Sequence, residues 1–336
     1  MRDVGYRLPP HLKPDKMRLQ HALLIAGPTV SGKSALAIAI AERVDGTIVN
    51  TDSMQAYREL RILTARPTPD EEARVPHVLY GIRSAANAGS VAWWREEALA
   101  AMAAVHAAGR LPILTGGTGM YFAAMTDGLA AVPDPGMAAR TEARALLARD
   151  GPEALHASLV RVDPATAARI EPADGQRLAR AWEVWRGTGR GLAAWQQERL
   201  PPAPFAFKAI LLDPPREDLR AAIATRFAAM LQAGAIEEVR ALLALSLDPS
   251  LPAMRAHGVP ELSAFLRGEI DLAEAERRAT LVTGQYTKRQ ATWFRHHPLA
   301  AEACTLNINA RIYDSTQFSQ RNIALALSFI KPRLDA

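Results

Sequence analysis

The chain has 336 residues, enough for one large domain or two ordinary ones, each with a core of its own. Apolar residues make up 49% of it, a globular composition, yet no apolar run approaches the roughly 20 residues of a membrane span and the N-terminus holds no signal-peptide core. The single Cys304 excludes an internal disulfide and a cysteine-cluster metal site, and the net charge of +5 leans toward polyanionic partners or simply follows from an arginine-rich composition. Together these predict a soluble, cytoplasmic protein with no membrane partner.

Residues 1–20 are polar and proline-rich at their start and read as a loose leader. The apolar run "HALLIAG" (21–27) predicts a buried strand, and "GKSALAIAIAERV" (32–44) spaces its apolar residues at the helical period. Between them stand Gly27, Pro28, Thr29, Val30, Ser31, Gly32, Lys33 and Ser34, with the G-x-x-x-x-G-K-[ST] spacing of a phosphate-binding loop. Glycines let such a backbone wrap phosphate oxygens, and its amides together with the helix N-terminus form an anion nest. Lys33 would meet the outer phosphate and the Ser34 hydroxyl would ligate Mg²⁺. Lysine is scarce beside arginine in this chain, so Lys33 points to a need for an ammonium there.

"GTIVNTDS" (46–53) predicts a second strand ending at Asp52, 92–108 a helix, and "LPILTGGTG" (111–119) a third strand. Strands alternating with helices predict an α/β fold: a P-loop-type, mostly parallel sheet flanked by helices. Its ligand crevice lies at the carboxyl ends of the strands, where the loop, Asp52 and Thr118 would meet. Residues 137–205 carry no strand signal and read as an inserted all-helical domain rich in Ala and Arg. "FKAILLD" (207–213) returns to the sheet, so the catalytic core is expected over 21–136 and 206–300. Residues 216–243 read as helix with a break at Gly234, and 301–336 as a tail without signal.

The acid with which many nucleoside triphosphatases hold their metal is missing, because "LPILTGGTG" ends in Thr-Gly-Gly. Asp52 is the acid at a strand end near the crevice, placed to act as a general base or as a helix N-cap. Two enzymes stay open on these residues: an ATP-binding small-molecule or nucleoside kinase, and a transferase with pyrophosphate as leaving group.

"GPTVSGKS", "DSMQAYREL", "TGGTGMYFAAMTDGL", "DPATAARIEPADGQRLARAWEVWRGTGRGL" and "QYTKRQATWFR" occur in that order over residues 22–297. They resemble the signatures of the tRNA dimethylallyltransferase (tRNA isopentenyltransferase) family in its compact bacterial form. The resemblance implies transfer of a dimethylallyl group from dimethylallyl diphosphate to the N6 amine of the adenosine 3′-adjacent to the anticodon of a tRNA. The loop would then hold a leaving group, stabilised by Lys33, Mg²⁺ and Arg226. Asp52 would take the amine proton and Thr118 would stand beside the amine. Contact with the tRNA anticodon stem-loop falls, by the same resemblance, to Asp52, Ser53, Met54, Gln55, Thr118, Arg140, Gln176, Arg177, Leu178, Ala179 and Arg180; a monomer is expected. Ala56 replaces the usual Val, Gly175 a bulkier residue and His257 a smaller apolar one, departures that bear on packing.

An adenine amine in a stacked loop has to be extruded to reach a buried carboxylate. Arginines and aromatics at 175–190 and 286–297 are the candidates to compensate, although Trp182 and Trp185 read as core and His296 and His297 as solvent-facing. A prenyltransferase of free adenine nucleotides is disfavoured because it needs no arginine-bearing insertion. Intact Lys33, Ser34 and Asp52 disfavour a non-catalytic RNA binder.

Overall fold

The computed structural model of the protein describes residues 20–312 and 317–330; the leader read over 1–20 lies outside them but for Gln20. Strand β1 (Gln20–Ala26) runs through the phosphate loop into α1 (Lys33–Val44), and β2 (Gly46–Asn50) follows. Next come α2 (Pro69–Arg74), β3 (His77–Val78), α3 (Val91–Ala107), β4 (Leu111–Gly116) and α4 (Gly119–Thr126). The middle of the chain holds β5 (Leu129–Ala130), α5 (Gly136–Val162), α6 (Pro164–Ala167), α7 (Gly175–Thr188), α8 (Leu192–Trp195) and β6 (Arg199–Leu200). The sheet resumes with β7 (Phe205–Leu212), then α9 (Arg216–Gln232), α10 (Ala235–Ala244), α11 (Val259–Leu266), α12 (Leu272–His296), β8 (Thr305–Ile308) and α13 (Gln317–Ile330).

Six strands pair in the order β3-β2-β4-β1-β7-β8, every pair parallel. Alternate residues of β1 serve opposite faces: Ala22, Leu24 and Ala26 pack with Trp94 of α3, Phe122 of α4 and Phe294 of α12, while Leu23 and Ile25 pack with Leu36 and Ile40 of α1. Both faces are covered, which is why the strands read as unbroken apolar runs. β1 is an inner strand, so the loop that follows it opens midway along the carboxyl edge of the sheet. Among the described residues no helix is long and apolar enough to cross a membrane.

Described residues of the segment expected as a tail belong to the core. β8 adds the edge strand beside β7, and Ile308, Ile312, Ala326 and Ile330 pack on the sheet face that α1 covers. A four-residue strand is too short for its period to stand out in the sequence. β2 also stops earlier than expected, at Asn50 rather than Asp52. The Asn50 side chain turns the chain out of the strand: Nδ2 donates to the carbonyls of Leu79 (3.1 Å) and Asp52 (3.0 Å), and Oδ1 accepts from Asp52 N (2.8 Å).

Residues Asp127–Pro202 form a compact unit of their own, in place of the span 137–205. It is not all-helical, since Leu129–Ala130 pairs antiparallel with Arg199–Leu200. Two-residue strands carry no readable period. Leu155 and Leu159 of α5 pack against Leu178 and Ala181 of α7. Glu142 ties the same two helices by accepting from Trp182 Nε1 (3.2 Å) and Arg186 Nε (2.9 Å). Asp163, 7% exposed, accepts from the backbone N–H groups of Thr166 (3.2 Å) and Leu192 (3.1 Å) and so joins α6 to the start of α8.

In the sheet-bearing unit, helix α10 fixes the loop after Asp52 through one carboxylate. Glu238 accepts from the backbone N–H groups of Arg61 (2.6 Å), Ile62 (2.7 Å) and Leu63 (2.9 Å). Glu238→Ala strands these half-buried donors and is expected to lower the unfolding free energy by about 2 kcal/mol. Urea denaturation measures this; an unchanged midpoint would mean that the three N–H groups find other partners.

Candidate active site

The phosphate loop gets its shape from alternating backbone handedness. Val30 (φ 62°) and Gly32 (φ 89°) are left-handed, and turns of this kind gather successive N–H groups into one concavity. Gly32 also opens α1, so the helix begins with Lys33 and its free N–H groups face the loop. Lys33 Nζ lies 3.4 Å from the Pro28 carbonyl. Burial pulls the Lys33 ammonium down to about 8; the Asp52 carboxylate opposes that shift and the Arg226 guanidinium adds to it. Arg226 is itself lowered by burial, with Asp52 again opposing and Arg311 adding.

Asp52 follows β2 at the carboxyl edge of the sheet, and no helix starts there. Its Oδ1 accepts from Met54 N (3.0 Å), closing a turn in place of the helix cap that its residue type also allowed. Trp94 Nε1 donates to the Asn50 carbonyl (2.9 Å) and holds the strand end beneath it. Backbone bonds then knit this turn to the one after β4: Thr51 N donates to Thr115 O (2.9 Å) and Thr118 N to Thr51 O (3.2 Å). Thr118 Oγ1 accepts from Ser53 N (3.0 Å). Asp52 and Thr118, far apart in sequence, are thus neighbours, as the crevice rule required.

Helix α12 supplies what the sequence reading missed. Gln290, 4% exposed, accepts at Oε1 from Thr29 N of the phosphate loop (2.8 Å) and donates from Nε2 to Gly117 O beside Thr118 (2.9 Å). The Tyr286 hydroxyl, one turn earlier, is hydrogen-bonded to the side chains of Thr118 and Gln290, and burial pushes its phenol pKa up. The helix lies so close that a Cβ on Gly117 would stand 2.1 Å from Gln290 Nε2, and one on Gly119 2.3 Å from the Trp293 ring. Neither glycine is left-handed, so the need is for space rather than for conformation. That was the available signal: glycines clustered around a threonine mark a close approach by another element.

Part of this set lines one cavity of about 280 Å³. Thr29, Asp52, Ser53 and Arg226 are among its polar lining; Val30, Leu63, Ile223, Phe227 and Met230 form an apolar wall. His257 and Tyr286, with ring centroids 4.8 Å apart, border it as well, and burial lowers the imidazole's pKa. For a magnesium ion the side chain at hand is the exposed Ser34 hydroxyl, a hard oxygen donor. Among the described residues no cluster of three His, Cys, Asp or Glu side chains could hold an ion. Such a donor fits Mg²⁺, which keeps its waters and binds through substrate phosphates.

The remaining sequence candidates divide. Met54 lines the cavity, whereas Gln55 spends its Nε2 on the carbonyls of Thr64 and Ala65 (2.9 Å each). Arg140, Gln176, Arg177 and Arg180 lie in the separate unit, the arginines paired with Asp134 (2.6 Å), Asp174 (3.4 Å) and Glu183 (3.3 Å). Leu178 (0% exposed) and Ala179 (8%) cannot offer side chains to a partner, because they face the core of that unit. On α12 the basic segment splits: Thr287, Gln290 and Phe294 are buried, while Lys288, Arg289 and His296 are exposed.

Comparison with known proteins adds relationships to this geometry. The IPP transferase family model matches residues 55–297. The chain is 60% identical over 316 residues to the tRNA dimethylallyltransferase of Granulibacter bethesdensis, covering 94% of this chain and 99% of that one. It is 62% identical over 314 residues to the Gluconacetobacter diazotrophicus protein of the same name, covering 93% and 95%. Among solved structures, the full-length tRNA isopentenylpyrophosphate transferase of Bacillus halodurans matches with a TM-score of 0.65 at 28% identity, over 93% of this chain and 97% of that one. A eukaryotic dimethylallyltransferase acting on tRNA matches with a TM-score of 0.78 at 25% identity, over 94% and 80%.

The lowered Lys33 gives the loop a measurable signature. An anion binds the charged ammonium, and above about pH 8 the free protein must first take up a proton to present it. Affinity for inorganic pyrophosphate in calorimetric titration is therefore expected to fall as pH rises through about 8, with Lys33→Arg removing the inflection. An inflection that survives in Lys33→Arg would assign it to another group.

Proposed function

The chain belongs to the IPP transferase family, and from that premise we propose that it moves a dimethylallyl group from dimethylallyl diphosphate to the N6 amine of the adenosine 3′-adjacent to the anticodon. It is an enzyme, and prenyl transfer to tRNA is its reaction. One observation carries the finer reading: a phosphate loop and a strand-end carboxylate open on a single cavity that has an apolar wall.

The allylic C–O bond breaks as negative charge gathers on the departing diphosphate. Lys33, Arg226 and the loop amides are fixed in place before that charge develops, which is where electrostatic catalysis acts. The Ser34 hydroxyl would hold Mg²⁺, whose chemistry there would be added positive charge at the leaving group. The N6 lone pair, delocalised into the ring, attacks the allylic carbon; Asp52 takes the proton as the C–N bond forms. Thr118, its Oγ1 held by Ser53 N–H, positions the amine. Leu63, Ile223, Phe227 and Met230 take the prenyl group and keep water from intercepting it. Contact with the anticodon stem-loop falls to the separate unit, through Arg140, Gln176, Arg177 and Arg180. The arginines' exposed ion pairs are worth roughly 1 kcal/mol or less and yield readily to phosphates.

The test is to incubate the protein with Mg²⁺, dimethylallyl diphosphate and unmodified tRNA, then weigh the digested nucleosides by mass spectrometry. An adenosine heavier by one dimethylallyl group, absent when free AMP replaces tRNA, is the expected result. Modified AMP would redirect the reading to free nucleotides, and ATP consumption without prenylated product would make the loop that of a kinase. Asp52→Asn is expected to lower turnover by about a hundredfold or more while tRNA affinity stays within about twofold. Equal loss of both would give Asp52 a binding role instead.

A further inference from the structure

A loop that points its N–H groups at an anion must satisfy its carbonyls on the other side. Pro28 O does so within the loop, accepting from Ser31 N at 3.2 Å. The next two outward carbonyls are met from the far end of the chain. Arg311 Nε donates to Val30 O at 2.7 Å across 281 positions, and Ile312 N donates to Ser31 O at 3.0 Å.

The fold delivers this segment without a long connection. β8 runs parallel to β7 with Ile308 beside Leu212, and Asp213 N donates to Ile308 O (3.1 Å), so the chain leaves β8 at the carboxyl edge where the loop also opens. Ile312, 3% exposed, then anchors among Leu36, Ile38 and Ile308. The fit over the loop is tight: a Cβ on Gly32 would stand 2.1 Å from Ile312 O. The first of the two held carbonyls belongs to a left-handed residue. Val30 is β-branched at φ 62°, a conformation that costs roughly 1–3 kcal/mol and persists only where neighbours impose it.

We propose that Arg311 is a positioning residue for the phosphate site: its Nε–H fixes the Val30–Ser31 peptide, and with it the turn that Ser31 N–H closes on Pro28 O, so that the Gly32 and Lys33 amides after that turn are in place before an anion arrives. The proposal rests on the reading that the loop holds the diphosphate of the donor. It separates Arg311 from Lys33 and Arg226, since the effect comes from a hydrogen bond to the backbone and not from charge on the anion. It also makes the segment after the family-matched region, residues 309–312, part of the site.

Two length-matched variants decide it. Glutamine puts its Nε2 donor the same number of bonds from Cα as arginine puts Nε, without the charge; methionine keeps the length with neither donor nor charge. Calorimetry with inorganic pyrophosphate and Mg²⁺ is expected to show Arg311→Gln within about twofold of wild type and Arg311→Met weaker by about tenfold, the scale of one orphaned buried carbonyl. In steady state the KM for dimethylallyl diphosphate should rise to match in Arg311→Met, with the KM for tRNA unchanged. Wild-type affinity in Arg311→Met would overturn the proposal. Equal losses in both variants would overturn it too, by making the guanidinium charge the active feature. Absence of pyrophosphate binding in the wild-type protein would instead strike the reading of the loop itself.

Discussion

The structure of the site depends on one buried carboxamide. Gln290 sits on a long helix that crosses the carboxyl edge of the sheet, and it bonds at once to Thr29 of the phosphate loop and to Gly117 beside Thr118. Neither loop holds its place by local structure alone. A buried amide with both ends satisfied is specific about geometry, because losing either bond leaves a polar group without solvent. The pairing of β1 with β4 brings the anion site and the acceptor turn together, and this one planar group pins them to each other. Glycine at 117 and at 119 is the other half of that arrangement, since any side chain there would lift the helix away.

The second theme is charge held in a half-buried cavity. Lys33 and Arg226 are both lowered by burial and both drawn back by Asp52, so the one carboxylate stabilises two cations of the site. In the proposed reaction the diphosphate would take those two cations from Asp52, and the apolar wall would keep water from screening the exchange.

The unit at Asp127–Pro202 follows different rules. Its interior is small and ordinary, with Leu178 and Ala179 spent on packing, and its arginines lie outside in weak exposed pairs. A surface built that way gives little up when phosphates replace its carboxylates. The proposed function divides the labour accordingly: chemistry where charges are buried and fixed, tRNA contact where they are exposed and exchangeable.

The sequence by itself determined the phosphate loop, the alternation of strands and helices, the return of the sheet at β7 and the placing of Asp52 and Thr118 at strand ends. Each is written in contiguous residues whose spacing or period is fixed by local geometry. Resemblance of ordered motifs then chose between phosphoryl and prenyl transfer, which the loop alone left open. Only the tertiary structure decided that Gln290 and Tyr286 belong to the site, that Glu238 caps the loop after Asp52, that Gln55 turns away from the cavity, and that the segment around Arg311 covers the phosphate loop. Those roles rest on hydrogen bonds between residues as far as 261 and 281 positions apart. A buried glutamine in a helix and an arginine after a short strand have no local pattern that distinguishes them. They acquire function from what the folded chain places opposite them.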